Sequence, residues 1–289
     1  MKTGVIGLGA MGIGMALNLH KADHLTAFWN RSSARSQKLA EQTGLTAAAS
    51  PAEAAEQCEM IIICVSRDTD VLEVANAMLP GVRKGSVVID TSTVSSDTAK
   101  EVAALLKTVE AEFLDSPVSG GVEGAKNGTM AMMVGGDYAT LELVRPVLET
   151  IAGNIVYMGP TGSGQATKAV NQIMAAGINQ AVTEALAFGS AMELDMDKVI
   201  DVVGSGAAAN WFLEHRGRTM IKGKFDPGFK VALHHKDLLI CRDMAEKNAD
   251  AILPVVEMTL ENYESLKDQG HDEEDISGLF RVKKGMFKE

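Results

Sequence analysis

Short apolar runs alternate with helical spacing over the first half of the chain, and only helical spacing remains over the second. Lys2 to Ile6 reads as a buried strand and Ile13 to Lys21 as a helix. Leu25 to Trp29 is a second strand. Ser50 to Glu56 reads as a helix opened by a serine cap and Pro51. Met60 to Val65 is continuously apolar, as a parallel strand covered on both faces must be. Helices are predicted at Thr69 to Leu79, Ser95 to Thr108 and Tyr138 to Thr150. Strands are predicted at Ser86 to Asp90, Glu112 to Asp115, Met130 to Val134 and Asn154 to Val156. This order predicts an open, mostly parallel sheet with helices on both faces and ligands beyond the carboxyl ends of the strands. Val65, Ser66, Thr93 and Ser119-Gly120-Gly121 sit at such ends.

After Gly164 the strand signals stop. Helices are predicted at Gln165 to Met192, Met196 to Val203, Trp211 to Lys222, Val231 to Ala249, Pro254 to Gln269 and Ile276 to Lys288. The change near Gly162 predicts two domains, 1–162 and 163–289, with the long helix joining them. On that helix Ala166, Ala169, Val170, Ile173, Met174 and Ile178 form an apolar stripe. Lys168, Asn171, Gln172, Asn179 and Thr183 fall on the other face. Such a polar face is either a solvated stripe or a lysine held in a cleft as a proton donor, oriented by Asn171. Spacing alone leaves both open.

The 289 residues carry 46% hydrophobic and 22% charged side chains, enough to bury a core and too apolar for a disordered chain. A net charge of −11 argues against nucleic-acid or anionic-membrane partners. The N-terminus opens a motif at once, and no apolar run approaches the ~20 residues needed to span a bilayer. Cys58, Cys64 and Cys241 read as small core residues in a reducing compartment. A cytoplasmic protein is expected.

Gly7-Leu8-Gly9-Ala10-Met11-Gly12 is a G-x-G-x-x-G run set between a strand and a helix. Its glycines suit a tight turn, backbone approach to a pyrophosphate and close helix packing. Dinucleotide binding follows. Past the second strand stand Asn30, Arg31 and Ser32, where NAD-preferring proteins of this architecture place an acidic residue. With Arg35 one turn on, the loop predicts preference for NADP over NAD, with NAD still usable. Ser119-Gly120-Gly121 can form an anion nest for a substrate carboxylate, the alternative being an ordinary glycine turn. Tyr263 to Lys267 matches a Y-x-x-x-K pair but lies outside the nucleotide domain, and reads as a solvated helix face. His234 and His235 are adjacent and point apart on a helix. No metal-ligand spacing occurs.

Taken together, four motifs resemble the β-hydroxyacid dehydrogenase family of 3-hydroxyisobutyrate dehydrogenases and semialdehyde reductases. They are Gly7 to Gly12 with Met15 to Leu19, Asp115 to Gly121, Gly162 to Asn171, and Lys236-Asp237-Leu238. The resemblance covers essentially the whole chain. It implies an N-terminal Rossmann dinucleotide-binding domain, an all-helical substrate and dimerisation domain, and a homo-dimer or homo-tetramer. It also implies Lys168 as the catalytic lysine, Asn171 beside it at the substrate, the carboxylate on Ser119, Gly120 and Gly121, and the cofactor touched by Thr93 and Lys236. Two departures stand out. Gln172 replaces the second asparagine that often follows the lysine, which bears on substrate contacts, and Ser116 replaces a common alanine.

The leading expectation is hydride transfer between NADP(H) and a small 3-hydroxyacid or its semialdehyde. Lys168 supplies charge stabilisation and a proton, with no metal. A phosphogluconate-type dehydrogenase has a longer helical domain, and an imine reductase usually lacks the lysine. A non-catalytic nucleotide-binding protein would not need Lys168 and Asn171. Selectivity is expected around the carboxylate and carbonyl sites, with Asn210, Trp211 and Phe212 as candidates.

Overall fold

A computed structural model describes residues 1–287, which divide into two compact units, Met1–Lys168 and a second that begins at Ala169. The first unit carries β1 (Thr3–Ile6), α1 (Gly12–Lys21), β2 (Leu25–Trp29), α2 (Ser33–Thr43), α3 (Pro51–Glu56), β3 (Met60–Ile63), α4 (Asp68–Met78), β4 (Val87–Asp90), α5 (Ser96–Lys107), β5 (Glu112–Asp115), β6 (Val118–Ser119), α6 (Gly121–Asn127), β7 (Met130–Gly136), α7 (Tyr138–Leu148) and β8 (Ala152–Gly159). Strand order is β2-β1-β3-β4-β5-β7-β6, with β8 against β7. The pairings from β2 through β5 are parallel. β7 runs antiparallel to β5 and β6 and parallel to β8.

The apolar strands explain the layering. Ile62 and Ile89 face a core beneath α1 and α7, with Met15, Leu19, Leu141 and Leu148. Ile61, Ile63 and Val88 face the opposite core, with Val71, Val102 and Leu106. Strands clothed on both sides need apolar residues at every position, which is what β3 supplies. The cap read at Ser50 is present, accepting from the Glu53 N–H, and Ser95 caps its own helix by accepting from the Thr98 N–H. Chain order turns outward in both directions from β1, to β2 on one side and β3 on the other. That makes the carboxyl ends of β1 and β3 a topological switch point.

Helices α2 and α6 and the two-residue β6 are additions to the sequence reading. α2 buries only Ser36 and Leu39, so it has little apolar periodicity to detect. α6 is seven residues long and opens on glycines.

α8 (Ser163–Ala191) begins in the first unit and continues into the second. The second unit adds α9 (Met196–Gly204), α10 (Trp211–Ile221), α11 (Val231–Ala249), α12 (Pro254–Asp268), a 3-10 turn at Ile276–Gly278 and α13 (Leu279–Lys284). The helix predicted over Ile276 to Lys288 is thus a 3-10 turn and a short helix, and Lys288 lies outside the described residues. Leu186, Leu213, Leu238, Leu260, Tyr263 and Leu279 are central to its core.

α8 reverses one expectation. Val170 and Met174, from its apolar stripe, are 56% and 61% exposed. Asn179 and Thr183, from its polar face, are fully buried. Their burial is possible because each finds hydrogen-bond partners. Asn179 Nδ2 donates to the Tyr263 hydroxyl at 3.0 Å and to the Ile276 carbonyl at 2.9 Å, and the Thr183 hydroxyl donates to the Asn179 carbonyl at 2.6 Å. The solvated-stripe reading of this face therefore fails. Tyr263, expected on a solvated face, is also fully buried.

Candidate active site

A cavity of about 480 Å³ opens at the switch point. Gly7, Gly9, Asn30, Arg31, Ser32, Val65 and Ser66 line it together, as the sequence reading groups them. Gly7 has φ +100°, and a Cβ there would lie 2.2 Å from the Cys64 carbonyl oxygen. A Cβ on Gly12 would lie 2.0 Å from the Gly7 carbonyl oxygen. A Cβ on Gly9 would meet only the Arg35 guanidinium, at 3.9 Å. The outer glycines are therefore required by the protein's own packing, and the middle one leaves the backbone open to a ligand. The first turn of α1 has no acidic residue, and Met11 at its N-cap makes no side-chain hydrogen bond. These residues fit a pyrophosphate resting on a helix N-terminus. Ala10 and Met11 lie in the same loop and Gly12 opens the helix, just beside the cavity lining.

Asn30 is occupied within the chain. Its Oδ1 accepts from the Leu8 N–H at 2.8 Å, and its Nδ2 donates to the Ser32 carbonyl at 3.0 Å. Arg31 is exposed and paired, with Nη1 3.1 Å from Asp70 Oδ1. Arg35, Asp70 and Glu73 also line the cavity. The two acidic residues lie on α4, distant in sequence, and a reading confined to the loop after β2 does not reach them.

Thr93 follows β4, half-buried in a loop pinned from both sides by Gln165. Gln165 Oε1 accepts from the Val94 N–H at 3.2 Å, and its Nε2 donates to the Ser92 carbonyl at 2.9 Å. Asp115, at the end of β5, fixes the start of α8. Its two carboxylate oxygens accept from the Gly162 N–H at 2.7 Å and the Gln165 N–H at 2.9 Å. Burial pushes the Asp115 carboxyl above its ordinary range, against the pull of these backbone donors. The fit is close: a Cβ on Gly164 would lie 2.4 Å from both the Asp115 and Met133 carbonyl oxygens. Lys168 stands on the first turns of the helix so anchored, only 7% exposed. The strand Asp115 closes leads directly to Ser119, Gly120 and Gly121, and both glycines have positive φ. Neither Asp115 nor Gln165 announces itself as a clamp in the sequence, because its partners lie far away in the chain.

In the second unit, Asn171, Gln172 and Lys236 are joined by Asp237. Asn171 Nδ2 donates to Gln172 Oε1 at 2.7 Å, Gln172 Nε2 donates to Asp237 Oδ2 at 2.6 Å, and Lys236 Nζ lies 2.6 Å from Asp237 Oδ1. His234 Nε2 is 3.2 Å from the Gln172 carbonyl, and its Nδ1 is 2.9 Å from the Tyr263 hydroxyl. A carbonyl only accepts, so Nε2 carries the proton and Nδ1 accepts from Tyr263. Of the three selectivity candidates, Asn210 is spent capping α10 by accepting from the Leu213 N–H at 2.8 Å. Phe212 is in the core, and Trp211 is exposed and stacked on His215. Among the described residues no cluster of His, Cys, Asp or Glu could hold a metal, and no helix is long and apolar enough to cross a membrane.

Residues 2–159 match the family described as the NAD binding domain of 6-phosphogluconate dehydrogenase. Residues 162–283 match the family described as NAD-binding of NADP-dependent 3-hydroxyisobutyrate dehydrogenase. The chain is 36% identical to 2-hydroxy-3-oxopropionate reductase of Escherichia coli K12, covering 98% of this chain and 97% of that protein. It is 31% identical to L-threonate dehydrogenase of the same strain, over 98% of this chain and 95% of that one. Among solved structures, Mycobacterium tuberculosis 3-hydroxyisobutyrate dehydrogenase with L-serine superposes with a TM-score of 0.88. Identity is 31%, covering 97% of this chain and 98% of that chain.

Proposed function

The chain belongs to the β-hydroxyacid dehydrogenase family and is an NAD(P)-dependent oxidoreductase acting on CH–OH groups; on that premise we propose which substrate class, cofactor and residues it uses. The reaction is reversible hydride transfer between NADP(H) and a small 3-hydroxyacid or its semialdehyde. The observation that carries this reading is the Asp115 clamp. It ties the helix bearing Lys168 to the strand end that runs into Ser119, Gly120 and Gly121. A proton donor and a carboxylate-binding turn then sit on one rigid support, and binding becomes orientation.

When bound, the nicotinamide supplies the hydride in the reducing direction and takes it in the other. Lys168 holds the proton that the carbonyl oxygen acquires, and its charge stabilises the developing alkoxide. Ser119, Gly120 and Gly121 hold the substrate carboxylate. Asn171 hydrogen-bonds the reacting end, and Gln172 supports it. Gly7, Gly9, Ala10, Met11 and Gly12 receive the pyrophosphate, Val65, Ser66, Thr93 and Lys236 contact the rest of the dinucleotide, and Ser32, Arg31 and Arg35 receive the 2′-phosphate. Asn30 holds that loop through one bond at each end of its amide and offers the second N–H and the second lone pair to the adenosine ribose.

Most of the nucleotide-binding residues thus fall in 1–162, while 163–289 adds Lys236 to them and carries Asn171, Gln172 and self-association. Self-association uses the outward apolar face of α8, with Val170, Met174 and Ile178. The setting is the cytoplasm, which suits three free, buried cysteines. The test is a panel of glyoxylate, succinic semialdehyde, tartronate semialdehyde, methylmalonate semialdehyde and 3-hydroxyisobutyrate with both cofactors. Turnover of at least one acid is expected, and none with any of the five would overturn the reading.

A further inference from the structure

The amides of Asn171 and Gln172 lie in series with the carboxylate of Asp237, and the series has a direction. Gln172 and Asp237 are 2% and 4% exposed, so neither can exchange its partner for water. A carboxylate accepts hydrogen bonds and cannot donate them. Gln172 must therefore turn Nε2 toward Asp237, as observed at 2.6 Å. Its Oε1 is then left for Asn171, which must answer with Nδ2, as observed at 2.7 Å. The remaining end of the Asn171 amide is Oδ1. It has no hydrogen-bond partner among the described residues, and Asn171 is only half-buried. An amide is nearly symmetric in shape, so an isolated asparagine could present either end. Here the choice is made two side chains away, and Lys236 at 2.6 Å from the second Asp237 oxygen holds that group in place.

We propose that Asp237 and Gln172 are positioning residues that make Asn171 a hydrogen-bond acceptor toward the substrate, and so select an acid that carries a hydroxyl donor. This rests on the reading above that Asn171 meets the substrate. It also gives Gln172 a purpose. The side chain that departs from the usual asparagine spans Asn171 and Asp237 and transmits the charge of one as the polarity of the other.

The experiment compares Asp237→Asn, Gln172→Glu, the exchange variant carrying both, and Asn171→Ala. Each is assayed for KM and kcat with the best hydroxyacid of the panel, and for inhibition by the same acid lacking its hydroxyl. Asp237→Asn leaves the series without an enforced direction, and Gln172→Glu sets two carboxylates face to face. Each should raise the hydroxyacid KM by roughly tenfold, the worth of one directed hydrogen bond. In the exchange variant the amide introduced at position 237 can donate to the carboxylate introduced at position 172, whose other oxygen still accepts from Asn171. That variant should return to within about threefold of wild type. Inhibition by the deoxy acid should change little throughout, since that ligand has no hydroxyl to place. Equal weakening of both ligands in the single variants, or an exchange variant no better than either parent, would overturn the proposal in favour of a purely structural role. Thermal melts show whether each variant is folded, and the exchange variant keeps the question answerable if a single one is not. If Asn171→Ala leaves hydroxyacid kinetics unchanged while wild type turns over, the proposal fails and hydride transfer stands. If wild type turns over no acid, both fail.

Discussion

Asp90 and Asp115 stand opposite each other in register on neighbouring parallel strands, and both are fully buried. Asp90 Oδ1 accepts from the Ser92 N–H at 2.9 Å, while its Oδ2 has no partner among the described residues. Burial, with the adjacent Asp115 and Asp68 charges, pushes the Asp90 carboxyl up to about 7. The folded chain therefore holds a proton on Asp90 that the unfolded chain releases near the ordinary carboxylate value of about 3.9. Stability should fall as pH rises from about 4 to about 7 on account of this group, and level off above. Asp90→Asn keeps the acceptor for Ser92 and removes the charge. Its Tm should exceed that of wild type at pH 8 by at least about 2 °C, with a smaller gap at pH 5. Thermal unfolding at both values decides it, and a gap independent of pH would show that Asp90 is ionised throughout.

Lys168→Ala should lower kcat by ~10²–10⁴-fold while cofactor affinity stays nearly unchanged. Steady-state kinetics and a cofactor titration separate the two effects. Retention of more than about a tenth of wild-type kcat would remove Lys168 from the chemistry.

Cofactor choice should favour NADPH in kcat/KM. Arg31→Ala should raise KM for NADPH by roughly 10- to 100-fold, and for NADH far less. Asp70 competes for the same guanidinium, 3.1 Å away, so Asp70→Asn should move the other way. An exposed ion pair contributes roughly 0.2–1 kcal/mol, so the gain for NADPH should be no more than about fivefold. Equal or better kcat/KM with NADH in wild type would refute the assignment of this loop.

Light scattering at micromolar concentration should give the mass of a dimer or tetramer. Met174→Glu, on the exposed face of α8, should shift that mass toward the monomer. A monomer in wild type would leave the outward face of α8 without the partner assigned to it.

Local chemistry makes much of the fold legible. Serine caps, the apolar run at β3 and the glycine loop each depend on neighbours in sequence, and each element appears where its residues predict it. What escapes depends on partners far along the chain. Thr183 and Asn179 look solvent-facing by periodicity, and only Tyr263 and the Ile276 carbonyl explain why they are buried. Tyr263 misleads for the same reason, since its hydroxyl is satisfied by Asn179 and His234. Asp70 and Glu73 reach the nucleotide cavity from α4, which spacing around the glycine loop cannot show. Asp115 and Gln165 clamp loops rather than forming motifs of their own.

The two bonds made by Asn30 constrain how this chain could evolve toward the other cofactor. An aspartate there would retain an acceptor for the Leu8 N–H but lose the donor to the Ser32 carbonyl, placing a charge against that oxygen. The loop would have to open before the new carboxylate could serve a ribose. A switch of specificity by that one substitution should loosen this loop, so the less costly path begins elsewhere, at Arg31 or Asp70 on the rim of the cavity.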